Sequence, residues 1–68
     1  MTAENPRQEA RSLIDAEAVS LFDLWLKYYA EGGRGDEIEL DAFIHGLPLL
    51  DDFEEVVLGW AVEDLSAR

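Results

Sequence analysis

The stretch Leu21-Phe22-Asp23-Leu24-Trp25-Leu26-Lys27-Tyr28-Tyr29 constrains this chain more than any other. Its nine residues hold four of the seven aromatics and only two charges. A run this apolar has to be covered on more than one side, so the remaining chain must be arranged around it. At 68 residues one hydrophobic core is barely sufficient, and there is no cysteine to staple it. Burial against a second subunit or a partner is then the natural supplement. Hydrophobic residues make up 49% of the chain, the composition of a folded globule rather than of a disordered acidic tail.

The apolar spacing is helical throughout. From Leu13 to Glu31, residues Ile14, Ala18, Leu21, Trp25 and Tyr28 recur at alternating four- and three-residue steps. Val19, Phe22, Leu26 and Tyr29 form a second stripe beside them. Ser12 with Asp15 supplies a capping signal, and Gly32-Gly33 supplies the stop, so the spacing predicts one long central helix over about 12–31. Asp36 with Glu39 forms a capping box that opens a short helix over about 37–46, closed by Gly46 and Pro48. Asp51 with Glu54 repeats the box and opens a third helix over about 51–66. Phe53, Val56, Val57, Trp60 and Ala61 are its main stripe; Leu58, Val62 and Leu65 are a second. Residues 1–11 are polar and read as a flexible N-terminal segment, leaving 12–68 as a single helical domain. The expected fold is all-α, a small three-helix bundle, with Trp25, Trp60 and Phe43 in its core.

Charge narrows the classes of partner. Sixteen acidic against five basic residues give a net charge of −11. Phosphate backbones and anionic membrane surfaces are repelled by such a balance, so neither nucleic acid nor membrane is expected as a partner. A basic protein is favoured. The N-terminus lacks a basic region followed by an apolar run, and no run approaches membrane-spanning length, which gives the cytoplasm as the expected compartment.

Three short motifs invite a chemical reading. Ile38-Glu39-Leu40-Asp41-Ala42-Phe43-Ile44-His45-Gly46-Leu47 resembles the second half of an EF-hand over those ten residues. With Ile38 as the eighth loop position, Glu31, Gly33 and Gly35 fall where the first three ligands belong, and Ala42 replaces the bidentate glutamate. Calcium needs six to eight oxygens, so no metal is expected here. Arg34-Gly35-Asp36 spells an adhesive tripeptide, yet glycine for a turn and aspartate for a cap account for it. His45 lies four residues after Asp41 near a helix C-terminus, where an ion pair and the helix dipole both favour it. With no nucleophile or second catalytic group beside it, the chain reads as a non-enzyme without a cofactor.

What remains is surface. Phe22, Leu26 and Tyr29, with Leu58, Val62 and Leu65, form more apolar stripe than so small a bundle can bury, and are expected to make a partner or dimer interface. Asp36 and Glu37, and Asp51, Asp52, Glu54 and Glu55, read as acidic surface matched to the dipoles of two helix starts at opposite ends of a hairpin. The expected function is a protein–protein interaction module, self-associating as a homodimer through its apolar helical surface. The alternative is an acidic decoy that mimics DNA and occupies the site of a basic nucleic-acid-binding protein.

Overall fold

The computed structural model describes residues 5–67, and among them there are four helices rather than three. They are α1 (Pro6–Asp15), α2 (Leu21–Ala30), α3 (Glu37–Ile44) and α4 (Asp52–Ser66). The all-helical class is as the spacing predicts. The single long helix over 12–31 is not: it is two helices with a break at residues 16–20.

The break is made by backbone hydrogen bonds, not by glycine. At the end of α1 the Ala18 N–H donates to the Leu13 carbonyl and the Glu17 N–H to the Ile14 carbonyl, both at 2.9 Å. This is the paired bonding of a left-handed C-cap, and Glu17 adopts the required positive φ of 60°. Just beyond, the Asp23 N–H donates to Ser20 Oγ at 3.0 Å and starts α2. The pattern Ser20-x-x-Asp23 is thus the working cap, not Ser12 with Asp15. Asn5 caps α1 through the Arg7 N–H, and Pro6 occupies its first turn. Residues 6–11, expected within a flexible segment, are therefore most of a helix whose Ala10 is fully buried. The first four residues of that segment lie outside the described ones.

Breaking the long helix solves a covering problem. Two stripes on one straight helix would need more surface than two short helices offer. Folded back, α1 and α2 each pack against both α3 and α4. The core between them is Ala10, Leu24, Tyr28, Leu40, Phe43, Ile44, Leu50, Val57, Leu58, Ala61 and Val62. α4 contributes the largest share of buried residues and takes the central place expected of the first helix.

The connections are equally specified. Gly32 and Gly46 take positive φ at the ends of α2 and α3, as the sequence predicts. Gly33 is required for another reason: a Cβ there would fall inside the Tyr28 ring. The linker after α3 runs back so that a Leu50 methyl lies 3.5 Å from where a Cβ on Gly35 would be. The starts of α3 and α4 therefore share one end of the molecule, not opposite ends.

Candidate functional site

The large apolar side chains Phe22, Trp25, Leu26 and Tyr29 of α2 face outward or half outward in the phase set by its buried residues, Leu24 and Tyr28. Phe22 and Tyr29 are 51% and 60% exposed, and Trp25 lies between them half-buried. The Phe22 and Trp25 ring centroids are 6.1 Å apart, and those of Trp25 and Tyr29 are 5.4 Å apart and stacked. Both spacings are in the range where aromatic pairs attract. Trp25 is held by a 3.0 Å hydrogen bond from Nε1 to the Gly35 carbonyl. The result is a continuous three-ring strip whose central member is fixed from below. Leu26, 44% exposed, lies beside it in a shallow depression shared with Val19, Lys27 and Leu65.

Of the six residues expected at an interface, Phe22, Leu26 and Tyr29 are thus on the surface. Leu58 and Val62 are not; they are core residues with 0% and 1% exposure, and Leu65 is half-buried against the core. In their place Phe53, Val56 and Trp60 of α4 stand about half exposed. The helix is turned by about one residue step, roughly 100°, from the phase its main apolar stripe predicts. Trp60 leaves the core by the same rotation.

A buried carboxylate explains the phase. Glu54 was expected on the acidic surface, yet it is 6% exposed, at the inner head of the stripe that continues through Leu58, Val62 and Leu65. Its Oε1 accepts from the Tyr28 hydroxyl and from the Arg34 backbone N–H at 3.0 Å, and its Oε2 from Arg34 Nε at 3.1 Å. Tyr28 Oη in turn accepts from the Gly35 N–H at 2.9 Å. With partners for both oxygens a carboxylate can be buried, and α4 can present Glu54 inward. The Arg34 N–H and the Tyr28 hydroxyl, with the guanidinium, hold the Glu54 carboxyl below the usual carboxylate range despite burial. Burial first, then the bond to Glu54, pushes the Tyr28 hydroxyl up to about 12. Because Glu54 turns inward, the second capping box is only half formed: Asp51 accepts from the Glu54 N–H at 2.9 Å, with no return bond.

The remaining acidic residues are arranged for local structure. Asp36 and Glu39 complete the first box, with bonds of 2.7 and 3.0 Å. Asp36, Asp51 and Asp52 are exposed, while Glu37 and Glu55 are partly covered. The Arg34-Gly35-Asp36 tripeptide is absorbed by these contacts, Arg34 on Glu54 and Asp36 on the cap. His45 Nδ1 lies 2.8 Å from the Asp41 carbonyl and 3.3 Å from Asp41 Oδ1, the local pairing its spacing predicts. Among the described residues no group of three or more His, Asp or Glu is placed to hold a metal ion. Ile38, the residue aligned with the EF-hand loop, is 79% exposed at the start of α3. No helix among the described residues is long and apolar enough to cross a membrane.

No family model, no curated protein and no solved structure matches this chain.

Proposed function

We propose that this chain is a non-enzymatic interaction module that self-associates through the aromatic strip of α2. The observation that carries the reading is the strip itself: Phe22 and Tyr29, more than half exposed, flank a pinned Trp25, Tyr29 stacked on it and Phe22 tilted against it. Exposed rings whose positions are already fixed lose little conformational entropy on contact, and aromatic anchors carry much of the energy at protein interfaces. Antiparallel apposition of two α2 helices would bring six rings and both Leu26 side chains together and cover them at once.

Sedimentation equilibrium at micromolar concentration tests the proposal. The parent chain should behave as a homodimer, and Phe22→Ser with Tyr29→Ser should behave as a monomer of unchanged helicity. Leu26→Lys should weaken the dimer, since it replaces an apolar contact by a charge that would have to be desolvated in the interface. A monomeric parent chain across that range would defeat self-association. The acidic decoy would then gain ground, and binding to a basic nucleic-acid-binding protein that vanishes with Asp51→Asn and Asp52→Asn would favour it.

A further inference from the structure

A second surface lies between α1 and α4, distinct from the α2 strip. It is an open groove of about 540 Å³ whose lining includes Val56, Gly59 and Trp60 of α4 and Pro6 of α1. Glu9 from α1 and Glu63 from α4 also line it. Its apolar part continues along α4 through Phe53, which shares the outward phase of Val56 and Trp60 and is 53% exposed. Among the described residues neither Glu9 nor Glu63 has an ion-pair partner, although five other carboxylates of the chain do. The groove thus combines a half-exposed indole with two carboxylates that no cation among the described residues pairs.

Gly59 adds an independent observation. A glycine in the middle of a helix is less favourable than alanine by about 1 kcal/mol. Packing does not demand it here: a Cβ would meet Pro6 Cγ at 3.5 Å, ordinary contact. Its φ is not in the left-handed region, unlike Gly32 and Gly46. The fold therefore carries a helix-weakening residue that no internal contact requires, in the lining of the groove. The missing side chain leaves the groove lining beside Pro6 open to something that comes from outside.

We propose that this groove binds an amphipathic segment of a partner protein bearing lysine or arginine, with a cationic side chain laid over Trp60 between Glu9 and Glu63. Charge complementarity selects this occupant. A cation gains from both carboxylates and from the indole face, whereas a second copy of this chain brings a net charge of −11 to an already acidic rim. The apolar residues of the segment would rest on Val56 and Phe53. This surface is independent of the α2 strip, so the chain could self-associate and bind such a segment at the same time.

Calorimetric titration of the full chain tests the assignment. The probe is a capped leucine–lysine peptide of about 16 residues, long enough to form a helix, with a counterpart in which every lysine is glutamate. Only the cationic peptide should bind, one per chain. Glu9→Gln with Glu63→Gln should weaken it by about tenfold or more, whereas Asp36→Asn with Glu37→Gln, the same charge change on α3, should cost less than about threefold. Trp60→Ala should also lower affinity by about tenfold, and Gly59→Leu should block the groove while keeping α4 helical, since leucine is the better helix former. Thermal melts verify that each variant is folded. Equal weakening by the two charge pairs, no binding of the cationic peptide, or full affinity in Gly59→Leu would overturn the proposal. Affinity that falls with Phe22→Ser and Tyr29→Ser but not with the groove variants would also overturn it, by moving the site to α2.

Discussion

Two glutamates decide more of this structure than any aromatic residue. Glu17 holds a left-handed backbone conformation, which costs a residue with a Cβ about 1–2 kcal/mol relative to glycine. Replacing Glu17 by Gly should raise stability by about 1 kcal/mol in urea unfolding, because the C-cap is kept and its strain removed. An unchanged midpoint would mean that the strain is relieved elsewhere. Glu54 does the opposite work inside the core. Replacing Tyr28 by Phe removes the hydroxyl that Glu54 and the Gly35 N–H both use, and should cost about 1–3 kcal/mol. The pH dependence has two limbs. Glu54 titrates lower in the folded than in the unfolded chain, so its contribution is present above pH 4.5 and fades as the pH falls below it. Tyr28 titrates higher when folded, so its contribution is complete below pH 10 and is lost as the pH rises from 10 toward about 12. Unfolding midpoints measured across that range should fall on both sides for the parent chain. The fall between pH 10 and 12 should be shallower for Tyr28→Phe, and equal slopes would remove Tyr28 as its cause.

At the scale of elements, α1 and α4 are where spacing alone misleads. The polar residues 1–11 suggest a tail, yet α1 uses a small buried face, Ala10 with half-buried Leu13 and Ile14, that barely registers as a stripe. Its contribution lies in what it covers, the flank of α4 where Pro6 approaches Gly59. Deleting residues 1–11 should therefore abolish cooperative thermal unfolding, whereas loss of a mere tail would leave the melting curve in place. α4 offers two apolar stripes about 100° apart, and the sequence gives the larger one, with its phenylalanine and tryptophan, precedence. The smaller stripe is buried, together with Val57 and Ala61 of the larger, because its head is Glu54, the member that the Arg34 loop and Tyr28 bind. The loop is equally dependent on α2. Gly33→Ala would drive a methyl group into the Tyr28 ring and should lower stability by about 1–3 kcal/mol as judged by thermal melting. Full stability in that variant would show that the loop can move away without loss of the Glu54 contacts.

For the molecule as a whole, charge opposes compactness and packing has to prevail over it. Sixteen acidic residues belong to a chain whose body measures 24 × 24 × 21 Å, and among the described residues only Glu54 is buried with its countercharge. Lys27 bridges α2 to Asp64 of α4, but an exposed pair of this kind is worth no more than about 1 kcal/mol. Raising the ionic strength from about 0.01 to 0.15 M shortens the screening length from roughly 30 to 8 Å, and should raise the melting temperature of the chain. The same change should tighten the proposed α2-mediated dimer, since two acidic bodies repel each other less, and should weaken the proposed binding of a cationic peptide to the α1–α4 groove. Sedimentation and calorimetry at the two ionic strengths separate these opposite responses. If salt strengthens both associations, the groove does not work through Glu9 and Glu63.

The sequence by itself determined the helical class, the caps of α3 and the C-terminal glycines of α2 and α3, because each depends on residues within one turn of one another. It also identified α2 as the aromatic helix and Phe22, Leu26 and Tyr29 as its exposed residues. Three things were decided only by tertiary structure. The long helix breaks at Glu17 because α1 finds a surface on α4, which favours a left-handed glutamate that local preference opposes. α4 takes its phase from a carboxylate whose partners, Tyr28 and Arg34, lie 26 and 20 residues away in the chain. Trp60, equally apolar wherever it points, is outside because that phase turns it there. Periodicity records which residues could be buried together; only the fold, by satisfying one buried charge, selects the set that is.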